Sequence, residues 1–459
     1  MSNEQGYLDN IKLVYGVDDN PSISKKIIFG IQHIFAAFGG IIVVPLVIAS
    51  ALGLDVKTTT ALISATILAS GLATIIQARG VGKIGSRVAC IMGTDFTFVS
   101  PSISVGTVLG LPGIIGATIL GAFLEIILSF FIKPLMKLFP PLKEISITEI
   151  EGLRIGNAQD LNAMTGVTVL RFDEGAKAGC DISGGGPASR ETPLTSPVTA
   201  DNPINAIVFS GGSAFGLAAS DGVMRYLEEH GIGYDTGFAK VPLVCQSCIY
   251  DLSYGDSKIR PTAKMGEEAC RQAFAGTDDR TGNIGAGTGA TVGKLYGMKQ
   301  SMKSGLGIAA VSVGNFQMAA IVVVNALGDI FSPQNGQKIA GLKTPDRSGF
   351  LDSVHELYRF MTPHDQFTGN TTIGAVITNG AFSKAELNKI ASMTRCAYAR
   401  CINPVATMAD GDSIYAASIG DVSVDINMAG TLAAEVMAQA IQNAIHTSRI
   451  QDEEFLKYV

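Results

Sequence analysis

The sequence predicts an N-terminal α-helical membrane segment of about four transmembrane helices, joined to a soluble domain of the layered α/β class. Three observations predict it. Charged residues are only 16% of the 459-residue chain, and the apolar excess lies before Pro140-Pro141. After that pair, charges return, glycine-rich loops appear, and apolar runs shorten to strand and helix lengths. Strand-like and helix-like segments then alternate in blocks, the pattern of sheets covered by helices.

Bulk properties exclude some functions. Lys+Arg number 34 against 40 Asp+Glu, a net charge of -6, which gives nucleic acid no electrostatic footing. Mean hydropathy is +0.32, high for an ordinary soluble protein. The 7 cysteines are scattered, and no cleavable secretory signal is visible, which points to a reduced, cytosol-facing environment.

The membrane elements read in order. From Ile27 to Leu54 the only ionisable side chain is His33, and from Thr58 to Ala78 there is none. A third apolar stretch, Val88–Leu111, carries Asp95 and is broken by Gly93, Pro101 and Gly106. A fourth, Gly113–Ile132, contains Glu125. A helical span needs about 20 apolar residues. The Gly and Pro residues of the third stretch predict a discontinuous span, which is tolerated where backbone faces protein or a cavity. Lys25 and Lys26, then Arg79, Lys83 and Arg87, then Lys133, Lys137 and Lys143 flank the spans on one side. The positive-inside rule puts both ends of the segment in the cytoplasm. The expected divisions are a tail at 1–24, a membrane domain at 25–141 and a soluble domain at 145–459.

"GIQHIFAAFGGIIVVPLVIA" (30–49), "GSRVACIMGTDFTFVSPSISVG" (85–106) and "GAFLEIILSFFIKPLMKLFPP" (121–141) resemble the first, third and fourth spans of nucleobase–cation symporters of the xanthine/uracil permease type. The resemblance implies a substrate pocket touching Gln32, His33 and Phe96. It covers under half of such a transporter, and the later spans that carry the family's acidic ligands are not in this sequence. A truncated, transport-incompetent segment acting as an anchor in membrane lipid is therefore expected.

The soluble elements follow. "NAIVFS" (205–210) reads as a buried strand. It runs into "GGSAFGLAASDGVMRYLEEHG" (211–231), a helix that Ser213 can cap and Gly231 ends. "GIAAVSVGNFQMAAIVVVNALG" (307–328) reads as two strands and a turn, and residues 332–369 as a long loop with a short helix near 350–360. "IGAVITN" (373–379) is a strand by period and β-branching. In "SKAELNKIASMTRCAYARC" (383–401), Ser383 and Glu386 form a capping-box pattern. "NMAGTLAAEVMAQAIQNAIH" (427–446) reads as a packed helix.

The motif with chemistry in it is "GNTT", residues 369–372, at the mouth of that last strand. A threonine hydroxyl is a poor nucleophile at neutral pH, and freeing its own α-amine supplies a base beside it. Attack of the Thr371 hydroxyl on the Asn370 carbonyl would make that cut. A polar turn before a strand is the plain alternative. Asp410 and Asp412, in "ADGDSIYAAS" (409–418), share a face if extended and could orient an ammonium and a hydroxyl. Asn283, in "GNIGAGTGA" (282–290), could donate to an oxyanion. That glycine-rich turn fits no phosphate or dinucleotide fingerprint. The Cys245/Cys248 pair has no second pair at zinc spacing and reads as core. No metal site is visible.

Together "ITEIEGLRIGNAQD" (147–160), "SGGSAFGLAASDGVMRYLEE" (210–229), "VPLVCQSCIYDLSYGD" (241–256), "TGNIGAGTGATVGK" (281–294), "GNTTIGAVITN" (369–379) and "ADGDSIYA" (409–416) resemble, in order, the blocks of P1-type aminopeptidases. That peptidase family includes D-stereospecific aminopeptidases, β-peptidyl aminopeptidases and nylon-oligomer hydrolases. The resemblance spans 145–448 and implies a four-layer αββα sandwich similar to N-terminal-nucleophile hydrolases. It implies Thr371 as the processed nucleophile after cleavage at Asn370-Thr371, Asp410 and Asp412 as supporting carboxylates, Asn283 at the oxyanion position and Lys258 as a catalytic lysine. Phe215 stands where several members have a tyrosine that helps the oxyanion site. The implied function is a self-processing aminopeptidase or amidohydrolase acting on small peptides or amides. It would need no cofactor, assemble as a homo-oligomer and face the cytoplasm from a multi-pass membrane segment. A nucleobase transporter with a passenger domain, and an inactive gene fusion, are the rival readings.

Overall fold

The computed structural model describes residues 21–82, 85, 87–88, 90–131, 141–360 and 369–459. Most of the expected tail, the basic residues Lys83, Lys133 and Lys137, and His364 lie outside the described residues. The chain divides into two compact units, Met1–Met136 and Lys137–Val459.

In the first unit, helices α1 (Ile23–Ala51) and α2 (Val56–Arg79) are joined by a short turn. The Asp55 carboxylate caps α2 by accepting from the Lys57 and Thr58 amides at 2.9 and 3.0 Å. The third and fourth apolar stretches do not form separate spans. They make one helical run, α3 (Val99–Phe130), broken where Gly110 takes φ 66 just before Pro112. Only glycine adopts that conformation without strain, and Pro112 lacks the amide that would continue the ladder. Among the described residues three helices are therefore long and apolar enough to cross a membrane, where about four were expected. Residues 90–95 are not helical, and a 3₁₀ turn, Phe96–Phe98, leads from them into α3; Thr94 donates to the carbonyls of Gly40 and Ile41 at 3.2 and 3.3 Å. A cavity of about 370 Å³ lies there, lined by Ala37, Gly40, Ile41, Ile91 and Gly93–Phe96.

The second unit is built on ten strands: β1 (Leu142–Glu144), β2 (Leu153–Asp160), β3 (Thr165–Ile182), β4 (Ala188–Arg190), β5 (Ile204–Ser210), β6 (Val244–Cys248), β7 (Leu306–Val313), β8 (Phe316–Asn325), β9 (Thr371–Gly380) and β10 (Ser413–Val422). Their order is β1-β7-β8-β9-β10-β3-β5-β6-β4, with β2 on the other side of β3. Only β9/β10 and β5/β6 are parallel. The 18-residue β3 belongs to two layers. Its first half pairs with β2 and β5, its second with β10, and the register shifts between Arg171 and Ala176, where Gly175 has φ 81.

Strand period decides the layers, because alternate side chains face opposite ways. Ala319, Ile321 and Val323 of β8 join Ile373, Ala375 and Ile377 of β9, and Ile207 and Phe209 of β5, in the core between the two sheets. Met318, Ala320, Val322 and Val324 face outward, under α6 (Lys384–Cys401) and α7 (Ile426–Thr447). Ala206 and Val208 face the other outer layer, α4 (Ala219–Glu229) and α5 (Ala263–Ala275). The result is the four-layer αββα sandwich. The Ser383–Glu386 capping box forms as the spacing predicts. Ser213 does not cap a helix: the chain enters α4 through a 3₁₀ turn, 213–218, after Gly212 at φ 79. The long loop contains the short strand Lys338–Ala340 and the helix Ser353–Leu357.

Candidate active site

Thr371 opens β9 and lies opposite Asn325, the last residue of β8. It is 4% exposed. Its hydroxyl lies against the carbonyl oxygen of Asn370. That same oxygen accepts from the Gly411 amide at 3.0 Å. A side chain at 411 would separate these groups, since a Cβ there would lie 2.8 Å from the Thr371 hydroxyl oxygen. Asn370 in turn donates its own amide to the Ala409 carbonyl at 3.4 Å, so 370 and 410 form a short parallel bridge.

The loop carrying Gly411 is held from behind. The Ser183 and Gly184 amides donate to the Asp412 carbonyl at 3.0 and 3.2 Å, and Gly186 to the Asp410 carbonyl at 2.8 Å. Asp410 accepts from the Thr407 amide and hydroxyl at 2.8 and 2.7 Å. Asp412 accepts from the Thr372 amide at 2.6 Å and the Ala406 amide at 3.0 Å. Both carboxyls are buried, and burial raises both above the ordinary aspartate range, with the charge of Asp410 adding to the effect on Asp412.

A lysine completes the shell. Lys294 Nζ donates to the Asn325 side-chain oxygen at 2.8 Å, the Asn325 carbonyl at 3.0 Å and the Gly369 carbonyl at 3.1 Å. Burial lowers it to about 7, while Asp410, Asp251 and Asp412 oppose the shift. The Asn325 amide group donates to the Tyr250 carbonyl at 2.9 Å. The Tyr250 ring packs against Gly369, which has φ 121 and whose Cβ would lie 2.5 Å from that ring.

The structure thus brings together Thr371, Asn370, Asp410 and Asp412. It does not bring Asn283 or Lys258 to them. The Asn283 amide donates to the Ser448 carbonyl at 3.3 Å, beyond the end of α7. Lys258 is exposed and lines a shallow surface pocket with Phe215, whose ring lies under the Arg260 guanidinium. The asparagine and lysine beside Thr371 are Asn325 and Lys294. Both sat in quoted segments: Lys294 closes the glycine-rich block, and Asn325 is the polar end of an otherwise apolar strand. In the first unit Phe96 lines the cavity, whereas Gln32 and His33 are exposed and do not. Among the described residues no cluster of three or more His, Cys, Asp or Glu could hold a metal ion.

A buried hydroxyl on a carbonyl, an amide N–H on the same oxygen and an amine titrating near neutrality form a set suited to acyl transfer. Known proteins agree in class. The model of Peptidase family S58 matches residues 146–452, and that of a permease family, of xanthine/uracil type, matches residues 24–158. An uncharacterized aminopeptidase of Mycobacterium tuberculosis is 36% identical over 299 residues, 61% of this chain and 83% of its own length. A 6-aminohexanoate-oligomer endohydrolase of Agromyces is 30% identical over 318 residues, 66% of this chain and 86% of its own. A Clostridium perfringens protein assigned as a purine permease is 73% identical over 145 residues, and the chain spans 32% of that relative's length. The solved L-aminopeptidase D-Ala-esterase/amidase of Ochrobactrum anthropi, a variant of the Ntn-hydrolase fold, superposes with a TM-score of 0.51 at 17% identity, over 68% of this chain and 90% of that one.

Proposed function

We propose, for a chain that belongs to peptidase family S58, that Thr371 is the nucleophile and is released by self-cleavage after Asn370. The coarser assignment stands on the comparisons: an S58-type hydrolase of peptide or amide substrates, fused to a permease-like, membrane-associated segment. One observation carries the finer one. The Thr371 hydroxyl and the Gly411 amide meet at the same carbonyl oxygen, that of Asn370.

The chemistry follows from that meeting. The neutral Lys294 amine takes the hydroxyl proton, directly or through water, and the Thr371 oxygen attacks the Asn370 carbonyl carbon. The Gly411 amide holds the oxyanion. The carbon–nitrogen bond breaks, the nitrogen takes the proton, and an ester joins Asn370 to the Thr371 oxygen. Water hydrolyses the ester, leaving an Asn370 carboxylate and a free Thr371 amine. That amine then serves as base for the same hydroxyl against a substrate amide. Asp410 and Asp412 orient the loop and supply negative charge near the amine. Mass spectrometry of the purified chain is expected to show two polypeptides split between Asn370 and Thr371. Thr371→Ala is expected to stay whole, and an intact wild-type chain sinks the proposal.

We also infer, from the basic residues flanking the spans, that the hydrolase unit faces the cytoplasm with membrane lipid around the helices, and, from the family resemblance alone, that the enzyme works as a homo-oligomer. The nucleobase-transport reading draws support from the cavity beside Phe96 and from the likeness of residues 24–158 to a permease family. Purine uptake by cells expressing the chain would favour it.

A further inference from the structure

One buried carboxylate beside the site has no part in the steps of cleavage. We propose that Asp251 is a positioning residue for self-cleavage: it acts through Lys294, as the buried counter-charge of that amine. This rests on the self-cleavage reading.

Asp251 follows β6 and is 3% exposed. The Thr165 hydroxyl donates to one of its oxygens and the Gly212 amide to the other, both at 2.6 Å. Backbone closes around them: a Cβ at Gly211 would lie 1.9 Å from Oδ2, and one at Gly289 would lie 2.7 Å from it. Both donors are neutral, and a carboxylate enclosed in this way needs positive charge nearby. Two buried lysines supply it, Lys294 and Lys303. Lys303 donates to the carbonyls of Gly287, Ala290 and Ser304 and takes no part in the chemistry. Lys294 is tied to the Asp251 segment through one side chain. Asn325 accepts from Lys294 Nζ at 2.8 Å and donates to the carbonyl of Tyr250, the residue before Asp251, at 2.9 Å.

At hydrogen-bond distance Lys294 meets neutral acceptors, the two oxygens of Asn325 and the Gly369 carbonyl. Its charge is balanced by carboxyls further back. Asp410 and Asp412 act on it from the loop 406–412, and Asp251 acts from the segment after β6. The first two flank Gly411, so neutralising either disturbs that loop along with the charge. Asp251 stands on a different element and separates the two effects. Burial pushes it up to about 6, so it is charged where Lys294 gives up its proton. That charge favours the ammonium and delays the free amine to higher pH.

Asp251→Asn can keep both hydrogen bonds, its amide oxygen accepting from Gly212 and its amide group donating to the Thr165 hydroxyl, and so removes the charge alone. The full chain is synthesised cell-free into detergent at about pH 5, where the split is slow, and moved to buffers across pH 5–9. The rate of the split is read on a denaturing gel. In Asp251→Asn the pH of half-maximal rate is expected to fall by about half a pH unit or more, with a plateau within about threefold of wild type. Thr165→Val removes the hydroxyl that favours the charged carboxylate and is expected to move the half-maximal pH the same way. It carries the test if Asp251→Asn does not fold. A half-maximal pH that is unchanged or raised in the folded variants, whatever the plateau, overturns the Asp251 assignment and leaves self-cleavage standing. A wild-type chain that splits at no pH overturns the self-cleavage reading instead, and the Asp251 assignment falls with it.

Discussion

Thr371 reacts, on this reading, because the Lys294 amine and the Gly411 amide, from distant parts of the chain, lie about the bond before it. Lys294 is the more direct of them to test, since burial lowers it to about 7. With the amine acting as base, self-cleavage slows as pH falls below about 7, approaching tenfold per unit, and levels off above it. A time course of the split across pH 5–9 checks this, and Lys294→Met is expected to stay whole throughout. Thr371→Ser keeps a hydroxyl at the same place and is expected still to split. Gly369→Ala meets two obstacles, the positive φ and the Tyr250 ring. It is expected to destabilise by about 1 kcal/mol or more and to slow the split at least tenfold, read on a denaturing gel. A Gly369→Ala chain that splits at the wild-type rate would show that the Tyr250 ring yields easily.

At the scale of elements, the site depends on how closely backbones approach. The loop 406–412 lies directly on residues 183–186, and a Cβ at Gly184 would lie 2.3 Å from the Asp412 amide nitrogen. Gly184→Ala is therefore expected to push Gly411 away from Asn370 and slow the split while the Thr371 hydroxyl remains. Helix α7 packs as tightly on β7: a Cβ at Gly307 would lie 1.9 Å from the Ala440 carbonyl oxygen. Gly307→Val overpacks this contact, a change that costs about 1–3 kcal/mol. A lower Tm by several degrees is expected in thermal denaturation, well away from the chemistry. The two variants separate a loop that positions catalytic atoms from a helix that only covers the sheet.

At the scale of the whole molecule, two units of different solvent preference share one chain. Helices α1–α3 have the length and composition to cross a membrane, and the full chain is expected to sediment with membranes and to need detergent for release. The layered order of the second unit was legible in the sequence. Alternation in 318–324 and 373–377 assigns each side chain to a face, and the Ser383–Glu386 spacing starts a helix, because these are contests among chain neighbours. Asn370-Thr371 and the Asp410–Asp412 pair were legible too, as local motifs at the ends of strands. What the sequence could not rank was which lysine and which asparagine reach them. Lys294 meets Gly369 across 75 positions, and the loops that carry it there are ordered by burial and close glycine contacts. Lys258 and Asn283 stood in equally plausible motifs, yet their loops turn elsewhere. The donor to the Asn370 carbonyl had no side-chain signal at all, being the backbone amide of Gly411. Local periodicity and capping therefore determined the layers, and a local motif marked Asn370-Thr371, whereas the partners of that motif were decided only when sheet register and loop packing brought distant backbone together.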